Sequence, residues 1–227
     1  SNTGVVLLPE CQADIPDNRQ QEADNVAAIL GKDLTNAYPF SPGVTPLSDD
    51  YATLLLNRTW RAQLSITGQA GLPTLQAAGN VTHPEVSVKL SIRIPPSCDP
   101  KRANSALKKA LESNAPFGAN ITYTPDSHVS GWNAPDLTDW LAQANERASR
   151  RFFNQSAAYF GEGGSIPFIA RLKKQYPEAQ YLVTGVLGPQ ANAHGPNEFI
   201  DLMMAKKITG CVASVLSDHF IHHAQES

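Results

Sequence analysis

The sequence predicts two architectures in one chain, an α+β half followed by an α/β half, and three observations carry the prediction. Val86, Val88, Leu90, Ile92 and Ile94 alternate with polar residues, as do Ala62, Leu64 and Ile66, so both stretches read as half-buried strands. An amphipathic helix follows the second strand, opened by Asp99 as N-cap and Pro100 at the first helical position. Further on, Tyr181 to Val186 reads as a buried strand. It breaks at glycines and Pro189, passes through small polar residues to His194, and gives way to a helical pattern from Asn197 or Glu198. Open α/β folds carry chemistry at such a loop.

Before the first alternating strand, regular signal is sparse. Val5 to Leu8 reads as a short strand or extended arm ended by Pro9. Arg19 to Leu30 is a helix stopped by Gly31. Ala37 to Asp50 holds Pro39, Pro42, Gly43 and Pro46 and is a loop, long enough to hint at function or a crossing between layers. Asp49 is placed to cap a helix from Asp50 to Asn57. The first strand then ends at Gly68, and residues 71–79 form a loop. Pro95-Pro96 ends the second strand, Ala103 to Leu111 is helical, and Ala119 to Tyr123 is a third strand before the Pro125 turn. Strand, strand, helix, strand is three quarters of a split β-α-β-β-α-β unit, a ferredoxin-like arrangement whose first strand and helix are missing.

The second half opens near Pro135. Asp136 to Phe152 is a helix with an acidic start and Arg147, Arg150 and Arg151 at its end. Tyr159-Phe160 reads as a short strand, residues 161–164 as a Gly-rich turn, and a helix runs from Ile166-Pro167 to about Tyr176. The last helix covers Glu198 to Ile221. Strand, helix, strand, helix is the tail of an α/β domain with too few strands for an independent sheet.

Composition excludes several functions. With 18 Lys+Arg against 21 Asp+Glu the net charge is -3, and no basic tract of the nucleic-acid type is present. No apolar run is long enough to span a membrane, and no signal-peptide pattern is visible, which says little about the native protein because the upstream segment is unseen; a cytoplasmic location is the expectation. Cys11, Cys98 and Cys211 are too widely spaced for a zinc knuckle or a disulfide framework and read as packed thiols. His83, His219, His222 and His223 have no ligand context, and the last three lie at a helix end where positive charge suits the dipole.

Several segments together carry a resemblance: LNRTWRAQLSITG (56–68), AGNV (78–81), SVKLSIRIPP (87–96), SGWNAPDL (130–137), GEGGSIP (161–167) and GPQANAHGPNEF (188–199). In this order they resemble the superfamily of cocatalytic zinc hydrolases that contains carnosine-type dipeptidases, aminoacylases and glutamate carboxypeptidase. The resemblance implies a catalytic α/β domain interrupted by a lid domain that often dimerises. It further implies that this chain opens inside the lid, with residues 1–55 a connector and catalytic/lid junction, 56–128 a partial lid, and 129–227 the C-terminal part of the catalytic domain. The implied function of the complete protein is metal-dependent hydrolysis of peptide or N-acyl amide bonds by two zinc ions. Its substrate would be a peptide or N-acyl amino acid. Its partner would be a second copy through the lid or a separate N-terminal fragment. The alternatives are a non-catalytic lid and dimerisation fragment, a deacylase or amidohydrolase of the same superfamily, and a small-ligand binding module.

The resemblance also assigns residues. His194 resembles the family's last metal ligand, whereas the bare sequence allows an ordinary loop histidine. Arg93 shares a strand face with Lys89 and Ser91, a solvated face on pattern alone; the resemblance makes it a clamp on the substrate's C-terminal carboxylate. Asn80 resembles a lid residue that assists the oxyanion or the same carboxylate. Glu162, Gly164 and Ser165 belong to a turn that lies near metals and substrate in the family, with Ser165 otherwise a plain N-cap. His128 stands two residues upstream of the family's substrate-contacting histidine position, which is Ser130 here, and otherwise reads as surface polar. Trp132 is a wall near the cleft or ordinary packing. The general-base glutamate and the other ligands belong to an N-terminal segment that this chain does not match, so the chain alone is expected to be inactive.

Overall fold

The computed structural model describes residues 1, 4–163, 167–186 and 190–226. The chain folds as two units, each threaded from several segments. One contains Ser1–Pro16, Leu55–Asn133 and Gly161–Ala170; the other contains Asp17–Leu54, Ala134–Phe160 and Arg171–Ser227.

The first unit is built on an antiparallel ribbon of β1 (Gln63–Ala70) and β2 (Ser87–Arg93). The alternation seen in sequence sets the register: Leu64 lies opposite Ile92 and Ile66 opposite Leu90, and a bulge falls between Ile66 and Gly68. After the Pro95-Pro96 stop comes the 13-residue helix α4 (Pro100–Glu112). Its cap is as expected from sequence. The Asp99 carboxylate accepts from the amides of Arg102 at 3.2 Å and Lys101 at 2.8 Å, which hold it below the usual carboxylate range. Cys11, Cys98 and Ala103 are buried where α4 meets the short turn Pro9–Cys11, and the Cys98 thiol donates to the Gln12 carbonyl at 3.3 Å. Burial pushes both thiols up, as for packed cysteines.

The third strand expected in this unit, Ala119 to Tyr123, makes no ladder. Its backbone finds helix side chains instead. The Tyr123 amide donates to Glu112 at 2.8 Å, and the Tyr123 hydroxyl bonds the Asn104 side chain at 2.6 Å. Phe117, just upstream, has φ 55°, which turns the chain away from an extended path. A complete ferredoxin-like sheet is therefore not formed among the described residues, where the sheet has two strands. Val5 to Leu8 is likewise outside any strand.

The second unit is helical. It holds α1 (Asp17–Leu30), the one-turn α2 (Asp33–Asn36), the start of α3 (Tyr51–Thr59), α5 (Asp139–Phe153), the end of α6 (Pro167–Gln175) and α7 (Leu202–Glu226). Asp50, not Asp49, caps α3, accepting from the Thr53 amide at 3.1 Å. The core lies between α5 and α7, where Leu141, Ala144 and Ala148 meet Val215, with Leu137, Trp140 and Cys211 packed around them. Ala144 and Ala148 are small enough to let the helices approach closely, and both are fully buried. Asn154 closes α5 in the left-handed conformation.

Neither Tyr181 to Val186 nor Tyr159-Phe160 forms a strand. A buried parallel strand needs neighbours on both sides, and no described residue of this unit supplies one. Leu182 and Val183 are exposed as a result. No helix among the described residues is long and apolar enough to cross a membrane.

Candidate functional site

In the first unit, three distant segments meet. The turn Gly161–Gly163 lies against the end of α3, close enough that a Cβ on Gly163 would fall 2.5 Å from the Arg58 carbonyl oxygen. Glycine is required there because backbone passes over backbone. Arg58 Nη2 donates to both carboxylate oxygens of Glu162, at 3.0 and 3.1 Å, and the Gly163 amide closes back on the same carboxylate at 3.0 Å. From the end of β2, Arg93 donates to the Gly163 carbonyl, joining residues 70 apart in sequence. Two arginines thus bracket the turn, one on the Glu162 side chain and one on its backbone.

The polar face of the ribbon is exposed and carries an ion pair. Lys89, which shares that face with Arg93, pairs with Asp126 at 2.9 Å, so the 119–133 segment reaches the same face. The pair raises the Lys89 ammonium and lowers the Asp126 carboxyl from their ordinary values. Gly131 presses on Pro96, where an added Cβ would fall 2.6 Å from the proline Cα, which accounts for the glycine before Trp132. Trp132 is half-buried. His128 is exposed on that segment, and Asn80 is exposed in the connection between β1 and β2. Gly164 and Ser165 lie outside the described residues. Arg58 was not singled out by the sequence. It sits in the LNRTWRAQLSITG segment, and only its pairing with Glu162 sets it apart.

His194 belongs to the second unit and to a loop of unusual backbone. Gln190, Asn192, His194 and Asn197 all have positive φ, between 54° and 62°. Non-glycine residues in this region cost about 1 kcal/mol or more each, so the surroundings must hold them. The holding groups are local. The Asn192 side chain donates to the Pro196 carbonyl at 2.6 Å, the Gly195 amide bonds the Asn192 carbonyl at 2.9 Å, and the Phe199 amide bonds the Ala191 carbonyl at 3.1 Å. Ala191 is buried as the anchor, and the His194 side chain is exposed. The His194 amide donates to Glu198 at 3.3 Å. The left-handed Asn197 also explains why α7 begins only at Leu202, later than the sequence suggests, with Asp201 accepting from the amides of Met203 and Met204 as its cap.

No group of three or more His, Cys, Asp or Glu side chains converges to hold a metal among the described residues. A structural or catalytic zinc needs three or four ligands, and His194 alone does not compose that set. The described residues therefore do not complete a zinc centre. What the first unit offers is a guanidinium beside a glycine turn, which suits recognition of a carboxylate.

No protein-family model matches the chain. A cysteinylglycine-S-conjugate dipeptidase of Corynebacterium striatum is 26% identical over 145 residues, 62% of this chain and 31% of that protein. Among solved structures, a dipeptidase of Saccharomyces cerevisiae matches with a TM-score of 0.66 at 20% identity, covering 96% of this chain and 46% of that one. Human carnosine dipeptidase 1 matches with a TM-score of 0.68 at 18% identity, with the same coverage of both. A metallo-carboxypeptidase of Sulfolobus solfataricus matches with a TM-score of 0.68 at 14% identity, over 94% of this chain and 49% of that one. The chain spans less than half the length of each relative. The solved structures establish a shared fold, and the sequence match at low identity is to a dipeptidase.

Proposed function

We propose that the complete protein hydrolyses peptide or N-acyl amide bonds with metal assistance, in the manner of a dipeptidase or carboxypeptidase, and that this chain supplies substrate-binding groups and one metal ligand. The family relationship supports the general hydrolase activity. In this reading residues 56–128 are a partial ferredoxin-like lid, 129–227 the C-terminal part of the catalytic domain, and 1–55 the connector between them. His194 is the one zinc ligand contributed here. The rest of the ligand set for two zinc ions, and the general base, belong to the portion of the relatives that this chain does not cover.

The observation that carries the reading is the hydrogen bond from Arg93 to Gly163, because it joins two of the segments on which the resemblance rests. Arg93 is the clamp on the substrate's terminal carboxylate, exchanging the Gly163 carbonyl for a charge-assisted, forked bond. Glu162, held by Arg58, orients the turn, and Gly164 and Ser165, which lie outside the described residues, are assigned by the resemblance to binding the same substrate. Asn80 serves the oxyanion or the same carboxylate, and His128 contacts the substrate from the 119–133 segment. Pairing of two copies through the lid would cover the β1–β2 face, on which Leu64 and Ile66 stand 51% and 68% exposed.

The test is Arg93→Ala in the complete protein. The kcat/KM for dipeptides with a free C-terminus should fall about 10- to 100-fold, the worth of a charged hydrogen bond, and C-terminally amidated analogues should change little. Equal losses on both substrate types would assign Arg93 to the oxyanion or to structure.

A further inference from the structure

The end of α7 gathers His219, His222 and His223 around Trp140 of α5. His219 and His223 are one helical turn apart, both exposed, with ring centroids 4.3 Å apart and planes tilted by 58°. Side chains at i and i+4 stand one above the other on a helix, so the backbone preorganises this pair. An imidazole nitrogen sits about 2.0–2.1 Å from a bound zinc, which puts two ligating rings with their centroids roughly 4.5–5 Å apart around one ion. The observed spacing of 4.3 Å is a little shorter than that. His222 is differently employed. Its ring is stacked on Trp140, with centroids 5.5 Å apart and planes at 22°, and lies 5.3 Å from His223.

We propose that His219 and His223 form a two-histidine surface site for a borderline divalent transition cation of the zinc, nickel or copper class. Neutral imidazole is the preferred ligand of these ions, and water completes the coordination. Asp218, the adjacent carboxylate, is engaged by Arg147 at 2.9 Å and is not part of the ligand set. With two protein ligands the site exchanges its ion readily, unlike a closed four-ligand site. It is separate in composition from the His194 loop, and its occupancy does not depend on the hydrolase reading. A bound ion bridges two successive turns and pins the end of α7, and its charge lies within reach of the Trp140 ring, which is 5.2 Å from His219 and 6.4 Å from His223.

Titration of the full chain with nickel(II), followed by calorimetry and by tryptophan fluorescence, tests the assignment. One exchangeable ion per chain is expected, with quenching of part of the emission. His219→Gln and His223→Gln should each weaken binding at least tenfold, while His222→Gln and His194→Gln change it less than threefold. All four positions are outside the buried core, and circular dichroism verifies that each variant keeps its helix content. Loss of binding in His194→Gln, or unchanged binding in both His219→Gln and His223→Gln, would overturn the proposal. Calorimetric binding that survives in the variants without quenching would overturn it equally.

Discussion

Arg58 and Arg93 approach the same turn from different elements and do different work. Arg58 spans both oxygens of Glu162, and with Glu162 exposed and Arg58 only partly covered the pair's contribution to stability is small and its effect is orientation. Arg58→Lys keeps the charge but not the fork, and it should lower kcat/KM of the complete protein several-fold while the melting temperature stays within about 2 °C. Matched losses of activity and stability would make the pair structural. His194 shows how far one residue can be read. Its place between glycines and a helix was visible in the sequence, but the four positive φ angles around it were not, because Asn, Gln and His are compatible with several loop conformations. Arg58 was illegible for the opposite reason: an arginine on a helix face carries no local signal until Glu162, 104 residues away, folds against it.

Elements with local causes were legible, and those that depend on neighbours were not. Helix α4 follows from Asp99 and Pro100, and β1 and β2 form where the alternation predicts strands, although β1 is exposed along its whole length instead of half-buried, because no third strand or helix covers its apolar face among the described residues. Ala119 to Tyr123 and Tyr181 to Val186 have strand composition, yet a ladder needs a partner in register, which composition cannot supply. The Asp99 cap makes a pH prediction. Its folded pKa is depressed by the Arg102 and Lys101 amides, so the stabilisation is present above the ordinary aspartate value near 4 and is lost as pH falls through the lower folded value. Asp99→Asn retains a capping side chain and should flatten that acid limb in thermal melts taken from pH 5 to pH 2; an unchanged limb would remove Asp99 from the account. In the α5–α7 pair, Ala148 is 1% exposed beside Val215. Ala148→Leu should destabilise the unit by about 1–3 kcal/mol in urea unfolding, through overpacking. A neutral result would mean that the helices can separate without loss.

At the scale of the molecule, the proposed function has the chain carrying parts of a site rather than a finished one. The first unit presents arginines and a glycine turn, the second a histidine in a strained loop, and no described cluster reaches the ligand count of a stable zinc centre. The solved structures it matches are about twice as long as this chain. The two-histidine pair at the end of α7 does not alter it, since an exchangeable surface ion is removed by dialysis. The most direct measurement is therefore the zinc retained after exhaustive dialysis, read by mass spectrometry on this chain and on the complete protein, with and without His194→Ala. Well below one zinc per copy of this chain, about two in the complete protein, and loss of at least one of those in the variant are expected. One or two tightly held ions in this chain alone, or an unchanged content in the His194→Ala protein, would contradict that expectation.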